Sequence, residues 1–176
     1  MSRPHHDDGI QIRTPALADG AGMWEVVKAA GTLDLNSSYL YLLLARDFAD
    51  TCVVAEHEGR VVGFVTGYRP PQRPEVVFLW QVGIRPEMQG HGLGKRLVTA
   101  FLRQPGADRA SILETTVTPS NEASRALFRA IARELDTECR VEPCFRSDDF
   151  PDSGHEDEEL FVIGPYRPSA LNRLAN

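Results

Sequence analysis

Hydrophobic residues along the chain fall into short runs separated by turn signals, and their period switches between strand and helix. Ile10-Gln11-Ile12-Arg13 alternates as a short strand. Met23, Val26, Val27 and Ala30 recur on one helical face within 18–30, and a second helical stretch, rich in aromatics (Tyr39, Tyr41, Phe48), begins near Ser38. Strands at 52–56 and 60–68 flank His57-Glu58-Gly59, a hairpin signal, and a proline-rich loop follows at 70–74. The apolar run 76–82 predicts another strand. Leu93, Leu97, Val98 and Phe101 then mark a helix that ends near 104–106. A strand over 110–117 leads through Pro119 to a helix whose N-cap is Ser120. Its apolar face is Ala123, Ala126, Leu127, Ala130, Ile131 and Leu135. Strands at 137–141 and 160–163 enclose an irregular acidic segment, 146–159. This pattern predicts a single domain over 10–164 between flexible tails at 1–9 and 165–176.

Composition narrows the function. A chain of 176 residues with 42% hydrophobic content can bury a full core. With 25 acidic against 19 basic residues, it lacks the basic excess of a nucleic-acid binder. It contains no apolar run long enough to span a membrane and no secretory pattern near its start. Cys52, Cys139 and Cys144 are irregularly spaced, as reduced thiols in a cytoplasmic protein would be. The residues His5-His6-Asp7-Asp8 read as a solvated tail rather than a metal site, and no metal is expected.

The chemistry concentrates after the fourth strand. Val82-Gly83-Ile84-Arg85-Pro86 turns into Gln89-Gly90-His91-Gly92-Leu93-Gly94-Lys95, where a helix begins. A strand, a glycine-rich turn and a helix start bring unpaired backbone N–H groups together with the positive end of a helix dipole, which suits a diphosphate. The spacing fits neither a Walker loop nor a dinucleotide fingerprint. Further on, Thr118-Pro119-Ser120-Asn121 opens the next helix.

Read as Gln89-x-x-Gly92-x-Gly94 after such a strand, the loop resembles the pyrophosphate loop of the GCN5-related N-acetyltransferases (GNAT). The resemblance covers about 10–164 and implies an α/β (α+β) fold. Its mixed central sheet splays strands four and five apart around acetyl-CoA, the co-substrate. It implies that Val82, Ile84, Gln89, Gly90, His91, Gly92, Gly94, Lys95 and Asn121 contact the coenzyme. The Val82 N–H would also stabilise the thioester oxyanion. One departure stands out: the position of the tyrosine that protonates the leaving thiolate in many such enzymes is Phe128. Either Tyr39, Tyr41 or water then serves, or the thiolate leaves without enzymic protonation.

An amine acceptor must lose a proton before it attacks, so the acceptor pocket needs carboxylates. Asp34-Leu35-Asn36-Ser37-Ser38-Tyr39, Phe78-Leu79-Trp80-Gln81-Val82, Glu114-Thr115-Thr116-Val117-Thr118-Pro119 and Gly154-His155 with its acidic run together resemble the L-2,4-diaminobutyrate acetyltransferases of ectoine synthesis. The resemblance implies acetylation of the terminal (N4) amine of a small diamine in a ternary complex. Asp34, Tyr39, Trp80, Glu114, His155 and Glu158 are the candidate substrate residues. Glu114, Tyr39 and Val82 are the catalytic candidates. A homodimer is implied too, with Val141, Cys144 and Phe145 as apolar contacts. Two alternatives stay open on the residues: the same fold acting on a polyamine, aminoglycoside or peptide N-terminus, and a non-catalytic acyl-CoA-binding module.

Overall fold

A computed structural model describes residues 9–31, 33–151 and 154–175. Seven strands form one sheet in the order β1-β2-β3-β4-β5-β7-β6. They are β1 (Ile10–Arg13), β2 (Cys52–His57), β3 (Arg60–Tyr68), β4 (Val76–Ile84), β5 (Ile112–Val117), β6 (Cys139–Phe145) and β7 (Glu158–Ile163). Every neighbouring pair is antiparallel except β4 and β5. The β2–β3 hairpin turns on Glu58 and Gly59, both at positive φ, as a two-residue turn matched to strand twist requires.

Helices cover both faces. On one face lie α1 (Asp19–Ala30) and α2 (Ser38–Asp47). Met23, Val26 and Val27 of α1 and Tyr41, Leu44 and Ala45 of α2 pack on Cys52, Val54, Val61 and Phe64. Ser37 caps α2 by accepting from the Tyr39 N–H, and Gly31, in the left-handed region, ends α1. On the other face lie α3 (Leu93–Leu102) and α4 (Glu122–Glu134). Leu93, Leu97, Val98 and Phe101 are buried there, as their spacing predicts.

The α4 helix departs from expectation. Its buried face is Phe128, Ile131, Ala132 and Leu135, while Ala123 and Ala126 are exposed. A phenyl ring gains far more from burial than alanine methyls do, so Phe128 sets the rotation of the helix. Its N-cap is Asn121, not Ser120: the Asn121 side chain accepts from the Ser124 N–H at 3.1 Å.

Two further expectations are corrected. Residues 165–175 are not a loose tail: Pro168–Ala175 is a 3₁₀ segment, and Tyr166, Ala170 and Leu174 are buried in the main core. The strand expected over 137–141 runs instead over Cys139–Phe145, an exposed sheet edge paired with β7. Residues 1–8, including the His5–His6 pair, lie outside the described residues.

Candidate active site between two splayed strands

The parallel pairing of β4 and β5 covers Val76–Ile112, Val77–Leu113 and Phe78–Glu114, then stops. Beyond that rung the strands diverge. The cause sits on the other side of β4, where the β3 register shifts so that Thr66 opposes Gln81 and Gly67 opposes Leu79. Trp80 is the extra residue of this bulge and is 37% exposed. A bulge bends its strand and re-aims its side chains. After it, Val82 and Ile84 rejoin the face of Val77 and Leu79, while Gln81 and Gly83 are buried on the opposite face. The sequence-based strand ended at Val82; the structure carries it to Ile84.

Which amides face the gap follows from the register. Arg85 N–H donates to the Val62 carbonyl at 2.9 Å. Antiparallel pairs alternate between bonded and non-bonded, so Gly83 is bonded to β3, and Val82 and Ile84 turn their N–H and C=O groups away from it. Those groups point into the gap. The Ile84 carbonyl accepts from Gln89 Nε2 at 3.1 Å, which draws the glycine loop against the strand end.

Gly90 and Gly92 sit at φ 80° and 78°, conformations that exclude most side chains. The first i→i−4 bond of α3 runs from Arg96 N–H to the Gly92 carbonyl, so the N–H groups of Leu93, Gly94 and Lys95 lack intrahelical partners. This is an anion cradle at a helix N-terminus. Gly94 lies against Ile84 and Leu127, where a Cβ would meet carbon at 3.4 and 3.6 Å. His91 is exposed at the loop tip. Lys95 leans away from the loop, its Nζ paired with Glu134 at 2.7 Å. Asn121, at the start of α4, spends its side-chain oxygen on the cap just described.

One side of the gap is acidic. Glu114 is buried on β5, and its side chain shares a sheet face with Thr116 and Glu158. Burial pushes the Glu158 carboxyl above the usual carboxylate range, the charge of Asp34 adds to this, and Thr116 and His155 oppose it. Asp34 and His155 therefore each lie within electrostatic reach of Glu158. The Cys144 thiol is raised by burial and then by Glu158 and Glu114, so it borders the same cluster. His155 stacks on Phe150, ring centroids 4.3 Å apart. Glu156 holds the Ser120 N–H at 3.3 Å and also its hydroxyl, and Arg125 pairs with Glu159. These contacts tie the acidic segment to α4.

The two tyrosines of α2 separate. Tyr39 is 64% exposed, whereas Tyr41 is fully buried and donates to Gln81 Oε1 at 3.0 Å. Phe128 is packed near Phe161, ring centroids 6.4 Å apart. No thiol is activated: burial pushes Cys52 up to about 11 and raises Cys139 and Cys144 as well. Arg73, which nothing in the sequence pattern singled out, binds Glu114, Nη1 to Oε1 2.6 Å. Two surface cavities, of about 550 Å³ beside Arg69 and Arg109 and about 350 Å³ beside Arg96 and Arg103, are lined by none of these candidate side chains. Among the described residues no helix is long and apolar enough to cross a membrane, and no cluster of three or more His, Cys, Asp or Glu could hold a metal ion.

A sheet opened between parallel strands, with an anion cradle at its mouth and carboxylates along one side, defines an acyl-group transferase. The Acetyltransferase (GNAT) family model matches residues 22–132, and the chain belongs to that family. It is 48% identical to the L-2,4-diaminobutyric acid acetyltransferase of Marinococcus halophilus over 90% of this chain and 92% of that one. With the enzyme of the same name from Halalkalibacterium halodurans the identity is 45%, over 92% and 85%. Among solved structures, diaminobutyrate acetyltransferase EctA from Paenibacillus lautus, in complex with its substrate L-2,4-diaminobutyric acid and coenzyme A, superposes with a TM-score of 0.87. Its identity is 43%, covering 90% of this chain and 96% of that one. Ard1 from Thermoplasma volcanium, 16% identical with a TM-score of 0.69 over 88% and 96%, shares the fold.

Proposed function

We propose that this chain transfers the acetyl group of acetyl-CoA to the N4 amine of L-2,4-diaminobutyrate, the acetylation step of ectoine synthesis, in a ternary complex. The observation that carries the reading is the acidic face beside the β4–β5 gap, where Glu158 feels the charge of Asp34 and lies on the sheet face of Thr116. Such a pair of carboxylates attracts a dicationic acceptor, gives a neutral one no such attraction, and repels an anionic one. The similarity to the Paenibacillus lautus enzyme, which binds this diamine and coenzyme A, supports the same pairing here.

The residues divide the work as follows. Gly90, Gly92 and Gly94, with the first amides of α3, receive the diphosphate, and Val82 and Ile84 offer backbone groups to the pantetheine arm. The Val82 N–H faces the thioester oxygen and stabilises the oxyanion as it forms. Glu158, whose carboxyl burial raises above the usual carboxylate range, takes the proton from the N4 ammonium. Asp34 holds the second ammonium, with His155 and Trp80 as further pocket residues. The new C–N bond forms, the C–S bond breaks, and the thiolate gains a proton from solvent at the gap mouth. Phe128 has no proton to give, and Tyr41 is buried against Gln81. The sequence left the base open among its carboxylates, with Glu114 as a catalytic candidate; this reading gives the role to Glu158. Two copies of the chain pair along the exposed β6 edge near Val141 and Phe145.

Thiol release from acetyl-CoA across 2,4-diaminobutyrate, ornithine and lysine tests the proposal, with NMR of the product locating the acetyl group. Turnover should fall at least tenfold with each added methylene, and the product should be the N4 isomer. Equal use of the longer homologues, or acetylation at N2, would overturn it.

A further inference from the structure

The acceptor cleft as described answers the substrate's two ammonium groups but not its carboxylate. Asp34 and Glu158 would repel that group, and neutral donors such as Trp80 cannot offset the repulsion. Arg73 supplies the missing charge. Its backbone is fixed by a turn: Arg73 N–H donates to the Pro70 carbonyl and Val76 N–H to the Arg73 carbonyl, both at 3.0 Å. From there the side chain crosses to β5 and binds Glu114 at 2.6 Å. Glu114 is 8% exposed at its side chain, and Arg73 is 48% exposed. Glu114 is therefore the buried anchor, and Arg73 presents the rest of its guanidinium to solvent. Among the described residues this is the side-chain bond Arg73 makes, using one of five donors. The remaining edge has the planar fork that matches a carboxylate.

Resting on the proposed acetylation, we infer that Arg73 is the specificity-determining residue that receives the substrate's α-carboxylate. Glu114 is then a positioning residue that aims it, not an amine ligand. The lengths agree. Arg73 meets Glu114 at the Phe78 rung, the last before the gap opens. Val82 lies roughly 10 Å further along β4 at about 3.3 Å per residue, with one residue absorbed by the bulge. An extended 2,4-diaminobutyrate spans roughly 5 Å from N4 to its carboxylate carbon. Contact distances of about 3 Å at each end close the interval. The acid end is pinned at the closed end of the cleft, so N4 reaches the thioester and N2 does not. Arg140 shares the sheet face but stands opposite Val162, on the far side of β7 from Glu114.

The test compares kcat/KM for 2,4-diaminobutyrate with that for 1,3-diaminopropane, the same diamine without its carboxylate. Wild type, Arg73→Gln and Arg73→Lys are measured, with melting curves to confirm folding. Arg73→Gln should lower kcat/KM for 2,4-diaminobutyrate about 10- to 100-fold, chiefly through KM, as expected for a lost charged hydrogen bond. The value for 1,3-diaminopropane should change less than about threefold, and Arg73→Lys should recover part of the loss. Equal losses on both substrates would overturn the assignment. So would gains on both, which would make Arg73 a plug occupying an ammonium position. A wild-type enzyme that acetylates neither amine sinks the acetylation reading itself and this inference with it. An active wild type whose selectivity survives Arg73→Gln sinks this inference alone.

Discussion

At the scale of single residues, the site places carboxylates in unequal surroundings. Glu158 is half-buried near Asp34, and its carboxyl is raised. Glu114 is buried and ion-paired to Arg73. A carboxyl raised on folding favours the folded state in its protonated form, and that advantage is lost as pH climbs through its folded value. Glu158→Gln, which mimics the protonated form, should therefore raise the urea midpoint at pH 7. The gain should vanish below about pH 4, where the unfolded carboxyl is protonated too. A midpoint gain that persists at pH 3.5 would contradict this. Asp34, Trp80, Glu114, His155 and Glu158 could be named as candidates from the sequence, because their chemistry stands inside recognisable segments. Arg73 was not. It sits in a proline-rich loop with no periodic signal, and only the fold carries its side chain across to β5. Tyr39 and Tyr41 were equivalent as letters. The phase of α2 separates them by burying one against Gln81 and exposing the other.

At the scale of elements, the bulge in β4 makes the site. It turns Trp80 outward and leaves Val82 and Ile84 with amides directed at the gap. Gly67 permits it. A Cβ there would stand 2.3 Å from the Phe78 carbonyl oxygen and 2.7 Å from the Phe101 ring. Neither can yield easily, since one is backbone and the other core. Gly67→Ala should cost about 1–3 kcal/mol in urea unfolding, the usual range for overpacking, and should lower acetyl-CoA affinity as well. Unchanged stability would show that β3 and β4 can relax apart without the glycine. Strand and helix existence was readable from period alone, and most boundaries fell within two residues. The bulge was not readable, because a nine-residue apolar run carries no mark of a slipped register. The rotation of α4 was misread for a related reason: counting alanines as apolar weighs small methyls equally with the Phe128 ring.

At the scale of the molecule, two cores on opposite faces of the sheet hold β4 from both sides. The α1–α2 layer fixes the side of Gln81 and Gly83, and the α3–α4 layer fixes the side of Val82 and Ile84. The C-terminal 3₁₀ segment joins the second layer through Tyr166, Ala170 and Leu174. Its short, proline-started sequence looks like a tail because no helical face is long enough to register. The order of strands and helices was enough to suggest the fold, but the sheet order, with β7 inserted between β5 and β6, needed coordinates. The account depends on the coenzyme entering where β4 leaves β5. Amide hydrogen exchange with and without coenzyme A reads this directly. Protection should rise over 81–84 and 89–95 and remain unchanged in the β2–β3 hairpin. Binding that protects other segments and leaves those two exchanging as before would contradict it.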